Sequence, residues 1–479
     1  MLFLWVSPVI LFLVLMASRA VAAVPAAAFS LTLAIVVAVG FGPIDIAPSE
    51  IARIVLAGAW VALPAVLVIL TGLYFTQVLD TAGSRPAQSP ATALPARHLG
   101  TICLFLGPFV ETATGFGVGY VVAIGAVLAA GIAPATALAL AAFSQMLVPW
   151  GALGIGTQIS AAIIGMPVEM LGWRIALITA PMLWLTLLVY WRIVRHAGIE
   201  VDAARKREDA GSVLALSLLL VATNVLLPIE LAGLLAIGPV LLFRLWRQEG
   251  AFLFSAPAIR RAAPYLILIV LLAVTKLSPG IRALLATPAF TPGQGAPDFA
   301  PLASPANVLV LAAILGCFAH GRWAALHGAI PGALAKGTRA SILTILLVAL
   351  ACVIVRSGIA QAVADALRSG MGDHAALVVP VLGSIGGYLT GSNTGAGSLA
   401  MPVAESVASG AVLPWIAGAA IMAGSVFTAF SPVRFAMGQA IARASAQDSR
   451  IALYLLLPFA LCASSIAILA VFLAQRLLA

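Results

Sequence analysis

The sequence predicts an all-α, polytopic membrane protein of roughly twelve to fourteen transmembrane helices, and three observations carry that prediction. Of the 479 residues, 63% are hydrophobic and only 9% charged, where a soluble globule carries about a quarter charged residues. Mean hydropathy is +1.14. Apolar runs of about 20 residues, each long enough to cross the hydrocarbon core as a helix, recur along nearly the whole chain. Outer-membrane barrels are excluded, because their strands alternate in short segments. The net charge of +9 would suit a nucleic acid, but the basic residues sit in short clusters between apolar runs. That is the positive-inside pattern, and no nucleic-acid partner is expected.

Taken in order, residues 2–17 mimic a signal peptide. No basic segment precedes them and a second apolar run follows at 22–41, so they form a first transmembrane helix. Next come 54–78, a long interrupted stretch at 99–130, and another interrupted stretch at 135–165. Spans at 174–194, 212–228, 230–246, 263–278, 305–320 and 338–357 follow. The chain closes with an interrupted stretch at 375–409 and spans at 411–431 and 452–475. The polar linkers 79–98, 196–211 and 279–304 are too short to be soluble domains. Residues 1–479 are thus one membrane domain, read as an amino-terminal half, 1–210, and a carboxy-terminal half, 211–479.

Orientation follows from Lys and Arg in short loops. Arg192, Arg195, Arg205, Lys206 and Arg207 make one basic connection, Arg244, Arg247, Arg260 and Arg261 a second, and Arg322, Lys336 and Arg339 a third. These face the cytoplasm, as do Arg19 and Arg85/Arg97, whereas the 278–305 connection and the loop around Asp45 and Glu50 face outward. The expected location is a bacterial inner membrane with the amino terminus outside.

The strongest chemical signal is Gly107-Pro-Phe-Val-Glu-Thr-Ala-Thr-Gly-Phe-Gly-Val-Gly119. An acid at bilayer depth costs roughly 2.5–3.5 kcal/mol on insertion scales, so Glu111 is expected to face a cavity. Proline removes a backbone donor, and each helical glycine costs about 1 kcal/mol relative to alanine. Gly115, Gly117 and Gly119 therefore favour unwound backbone, with Thr112 and Thr114 supplying hydroxyls. A second break is expected in Gly383–Ser398, where Thr390, Gly391, Ser392, Asn393, Thr394 and Gly395 cluster in an apolar run. It lacks the Lys of a phosphate loop; its hydroxyls and freed amides suit a small carboxylate instead. The plainer reading of both segments is a helix-packing seam of small residues. Ser144-Gln145 and Pro149–Gly156 follow the first break, and Ser431-Pro-Val-Arg434 the second. Arg434 suits a bidentate grip on a carboxylate, either the substrate's or that of Glu111; its plainer role is a helix-end arginine on the cytoplasmic side.

Thr114-Gly-Phe-Gly117 and Thr394-Gly-Ala-Gly397 share an offset of 280 residues (394 − 114), as do Pro134 and Pro414. Two repeat-related halves with discontinuous helices at the binding site are expected. Cys103, Cys317, Cys352 and Cys462 lie singly in apolar runs, so neither metal nor disulfide is expected, and no cofactor. Catalytic pairs of an intramembrane enzyme are absent from the spans, so the expected function is transport rather than catalysis.

At these motifs the chain resembles the bacterial lactate permease family of lactate/glycolate proton symporters. Gly107–Gly117 is similar to that family's Gly-Ala-Phe-Leu-Glu-Gly-Ala-Ala-Gly-Phe-Gly signature. Leu389-Thr-Gly-Ser-Asn-Thr394 resembles its Leu-Thr-Gly-Ser-Asp/Asn-Thr element, Pro149–Gly156 its Ala-Phe-Gly-Ala-Ile-Gly-Ile-Pro segment, and Ser431-Pro432 its Ile-Ser-Pro. Departures are Pro108, Thr112 and Thr114 where the family has small residues, and Ala429–Arg434 in place of Lys-Met-Ile-Ser-Pro-Gln. The resemblance implies uptake of a small organic anion, a monocarboxylate, with a proton. A carboxylate in a poorly solvated cavity takes up a proton more readily than in water, which makes Glu111 the expected coupling group. The alternatives are a channel, or a sodium-coupled carrier for another small organic anion.

Overall fold

The apolar runs do become helices, and the computed structural model describes residues 1–18, 21–81, 98–290 and 298–478. The expectations for Arg19, Arg85, Arg97 and most of the 79–98 linker lie outside the described residues. Nine helices are long and apolar enough to cross a membrane among those residues, and a bent pair makes a tenth. The only non-helical pairing described is an isolated bridge between Phe290 and Phe299.

In chain order the helices are α1 (Leu2–Ser18), α2 (Ala23–Phe41) and α3 (Pro48–Thr81). Then come α4 (Leu99–Thr114), α5 (Val118–Ala129), and the bent pair α6 (Pro134–Gln145) and α7 (Val148–Ile163). The middle of the chain holds α8 (Val168–His196), α9 (Ala203–Leu226), α10 (Ile229–Glu249), α11 (Ala256–Leu277) and the short α12 (Pro279–Leu285). After it lie α13 (Pro305–His320), α14 (Ala324–Arg356), α15 (Ile359–Met371), α16 (Val378–Thr390) and α17 (Asn393–Val407). Last are α18 (Leu413–Thr428), α19 (Pro432–Ala442) and α20 (Ala446–Leu478).

Several helices outrun their apolar cores. α9 begins inside the expected 196–211 linker because the Asp202 side chain caps it, accepting the Arg205 N–H at 2.7 Å. α14 absorbs Lys336 and Arg339, which were expected in a connection; both are exposed on the helix.

Of the three interrupted stretches, 99–130 and 375–409 are hairpins that return to the end they came from. In the first, Gly119 of α5 lies against Gly107 and Glu111 of α4, and Ala123 lies against Gly107, so the arms run antiparallel. In the second, Gly386 and Thr390 of α16 meet Ala396 and Gly395 of α17, and Arg368 before the hairpin donates to the Ser406 carbonyl near its finish, at 2.5 Å.

The hairpins enter from opposite ends of the bundle. The base of the first is fastened beside the last turns of α10, where Arg244 donates to Thr101 at 2.9 Å and to Asp209 at 2.7 Å. That end also holds the start of α11, because Pro264 packs on Gly316 near the finish of α13. α14 begins there and runs antiparallel to α3: Gly328, Gly337 and Ala349 face Thr81, Leu70 and Gly58 in turn. The base of the second hairpin lies at the far end, where Gln475 of α20 donates to the Asp373 carbonyl at 2.6 Å.

Both hairpins are built on glycine contacts that admit no side chain. A Cβ at Gly107 would strike Ser144 of α6, and one at Gly387 would strike the Gly424 backbone of α18. Midway through the bundle the α6/α7 span bends by 54°, and α18 breaks from α19 at Ala429–Ser431. There the Ser425 hydroxyl donates to the Gln145 carbonyl at 3.3 Å, across 280 positions of sequence.

Candidate functional site

The tip of the first hairpin is a left-handed turn. Gly115, Phe116 and Gly117 have φ of 70°, 56° and 81°, a conformation costly for the one residue of the three with a Cβ. Ala152, Leu153 and Gly154 of α7 form a second left-handed run, with φ of 49°, 60° and 76°. The two runs touch: a Cβ at Gly115 would lie 3.0 Å from the Ala152 nitrogen. Strained backbone packed on strained backbone marks a place where function, rather than stability, sets the geometry.

Glu111 sits one turn before this tip and is 1% exposed. Its two oxygens accept the N–H groups of Gly117 at 2.9 Å and Gly119 at 3.0 Å. The carboxylate therefore occupies the amino terminus of α5, where freed amides and the helix dipole favour an anion. Arg434, 6% exposed in the first turn of α19, completes the cluster with its guanidinium 3.8 Å from Glu111 Oε1. It lies against Gly117, leaving no room there for a side chain. The sequence left Arg434 equally suited to a cytoplasmic helix end; the structure buries it at the centre.

The second break falls within the expected Gly383–Ser398 segment. The chain leaves helical geometry at Gly391-Ser392, with Gly391 at φ 63°, three residues before the Thr394-Gly-Ala-Gly397 of the sequence repeat. Gly395 and Gly397 lie inside α17. Their missing side chains make room for Thr390 and Ser160, so at these two positions the packing reading is the right one.

Both tips lean on the same two half-helices. The first touches Ala152 of α7 and Arg434 of α19. The second touches α7 one turn further on, where Asn393 faces Gly156, and α19 at Ser431 and Val433, against Gly391. Four helix amino termini (α5, α7, α17 and α19) thus open onto one central region.

The expected hydroxyls are largely spent within their own helices. Thr112 donates to the Pro108 carbonyl at 2.8 Å, Thr114 to that of Val110 at 2.6 Å and Thr390 to that of Gly386 at 2.7 Å. Around the two tips and the adjoining helices, buried side-chain atoms without a hydrogen-bond partner include both amide atoms of Asn393, the Ser398 hydroxyl, Gln145 Oε1, Arg434 Nε and the Tyr120 hydroxyl. A buried polar group left unpaired costs about 1–3 kcal/mol, so a cluster of them signals a place built for something to bind. Tyr120 gave no sequence signal, being one of several aromatics in an apolar run.

The buried cluster around Arg244 was also invisible to the sequence. Arg244 is 1% exposed; it pairs with Asp209, bonds Thr101 and donates to Ser212 at 3.1 Å. The Trp191 indole donates to the other Asp209 oxygen at 3.1 Å. Both ions read as loop charges in sequence. Lys276 pairs with Glu230 at 2.6 Å.

An all-helical, multi-pass membrane protein, whose two opposed hairpins close on a buried ion pair, is the class this geometry defines. The L-lactate permease family model matches residues 294–477, which include the second hairpin and the α18/α19 span. Over those residues the chain is similar to the L-lactate permease family. Among curated proteins none matches the chain.

Proposed function

We propose that the protein is a proton-coupled carrier that takes up a small monocarboxylate, lactate or glycolate, across a bacterial inner membrane. The observation that carries the reading is the Glu111–Arg434 pair, buried between two hairpin tips. Glu111 neutralises Arg434 and fills the amides of Gly117 and Gly119. A proton on Glu111 cancels the carboxylate charge and leaves Arg434 as an uncompensated cation. An incoming carboxylate then restores neutrality, so proton and substrate load together and unload together. Asn393 and the first turn of α17 offer the remaining polar contacts. The two halves act as inverted repeats, and alternating exposure of the central region to the two ends moves the cargo. Antiparallel packing of α3 on α14, together with hairpins entering from opposite ends, supports an inverted relation.

The test is uptake of labelled lactate into proteoliposomes with an imposed pH gradient, alkaline inside. The expected result is accumulation above the outside concentration, abolished by a protonophore, with counterflow from preloaded lactate. Accumulation driven equally well by a sodium gradient at uniform pH would overturn proton coupling. Flux without counterflow would indicate a channel.

A further inference from the structure

We infer that the substrate's carboxylate seats on the amino terminus of α17, at the tip of the second hairpin, while Glu111 fills the corresponding seat on α5, so that the protein accepts one carboxylate and not two. This rests on the carrier reading above and names the part of the site that takes the anion.

The inference comes from comparing the tips. Each hairpin turns at a glycine directly after a threonine, Thr114-Gly115 and Thr390-Gly391, and each glycine N–H closes its helix on the carbonyl four residues back, Glu111 in one and Gly387 in the other. Each then starts a return helix whose first amides have no intrahelical acceptor. At the first tip a carboxylate meets that need: Glu111 uses both oxygens on the amides of Gly117 and Gly119. The second tip has only a neutral oxygen. Thr390 Oγ1 accepts the Ser392 N–H at 3.2 Å, and the Ser392 carbonyl begins the helix by accepting from Ala396 at 3.1 Å. The amides of Asn393, Thr394 and Gly395, in the first turn of α17, have no acceptor within the helix, and the Thr394 nitrogen lies beside Gly156 of α7. The first acid in α17 is Glu405, in its last turn.

A helix amino terminus alone defines no site, but this one has a second mark. Asn393, 4% exposed, stands in the first turn of α17 facing Gly156 of α7, and neither its Nδ2 nor its Oδ1 has a partner. An amide that can donate and accept at once suits a ligand with a hydroxyl beside its carboxylate, as in a 2-hydroxy acid. Carboxylate oxygens on the first-turn amides would place that hydroxyl toward the Asn393 amide. The start of α19 stands between the two seats: the Arg434 guanidinium lies against Gly117, and Ser431 and Val433 lie against Gly391. With the Glu111 carboxyl group filling the seat on α5, the second carboxylate of a dicarboxylate finds that seat already taken.

The experiment measures displacement of bound labelled lactate, in detergent, by lactate, malonate and succinate, for wild type and Glu111→Ala. Wild type should prefer lactate strongly. In the monodisperse variant, the affinity for malonate or succinate relative to lactate should rise at least tenfold, because the second seat is vacated. An unchanged ratio would overturn the inference. Should Glu111→Ala not fold, Ser392→Cys decides: its modification by an anionic sulfonatoethyl methanethiosulfonate should slow at least tenfold under saturating lactate, with wild type as the control for the native cysteines. Modification unaffected by lactate, in a variant that still binds it, overturns the seat. Wild type that binds no lactate at all defeats the carrier reading instead.

Discussion

Glu111 holds two backbone amides and faces one arginine, so a substitution there acts on both contacts at once. Glu111→Gln keeps the shape and one acceptor oxygen but turns an NH₂ toward one of the two amides, Gly117 or Gly119, donor against donor. We expect the variant to lose accumulation driven by a pH gradient entirely while retaining lactate exchange at a reduced rate; isotope counterflow in the same vesicles separates the two. Concentrative uptake surviving in the variant would remove Glu111 from coupling. This residue was legible in the sequence because an isolated acid in a long apolar run has few innocent explanations. Arg434 was half legible, since a cation near a span end reads the same whether it snorkels or is buried. The hydroxyls of Thr112, Thr114 and Thr390 were over-read: in a helix, a threonine with no better partner bonds the carbonyl one turn back.

The hairpins raise the question at the next scale, because their two bases are held so differently. The first is clasped by buried ions: Arg244 reaches Thr101 of α4, Asp209 and Ser212 of α9 from its own place on α10. The second is tied by more exposed bonds, from Arg368 to the Ser406 carbonyl and from Gln475 to that of Asp373. Removing one partner of a buried pair strands the other charge, at a cost of about 3–5 kcal/mol. Arg244→Met should therefore lower the thermal midpoint in detergent sharply, whereas Arg368→Met should shift it little. Asp209→Leu combined with Arg244→Met should recover most of the loss, since an apolar pair strands no ion. Equal effects of the two single substitutions would show that the clasp is not what fastens the first hairpin. Glycine clusters announced both hairpins in the sequence but not their direction of return. Nor could they locate the second break, because a glycine that unwinds a helix and one that admits a neighbouring side chain are spelled alike.

At the scale of the whole molecule, the ends of the bundle differ in charge. The end that carries the base of the first hairpin also carries Arg195, Arg207, Arg247, Arg260, Arg261 and Arg322. The other end holds the α10 start, the α11 finish and the base of the second hairpin. Antiparallel α3 and α14, each more than thirty residues long, keep the ends a full membrane thickness apart at about 1.5 Å per residue. Lys and Arg are retained on the cytoplasmic side during insertion, so the first hairpin should open from the cytoplasm and the second from outside. The sequence could assign its basic loops because charge bias is local. It could not say that the two interrupted stretches turn back, because that depends on which ends meet. Single cysteines at two exposed positions test the assignment: Arg207→Cys beside the first hairpin's end of the bundle, and Ser409→Cys just after the second hairpin. In intact cells a membrane-impermeant maleimide should label Ser409→Cys and spare Arg207→Cys until the membrane is permeabilised. The reverse pattern would invert the molecule, and labelling of both in intact cells would mean that one hairpin crosses the membrane instead of turning back. On the carrier reading proposed above, hairpins that open to opposite sides would offer the central ion pair to each side in turn.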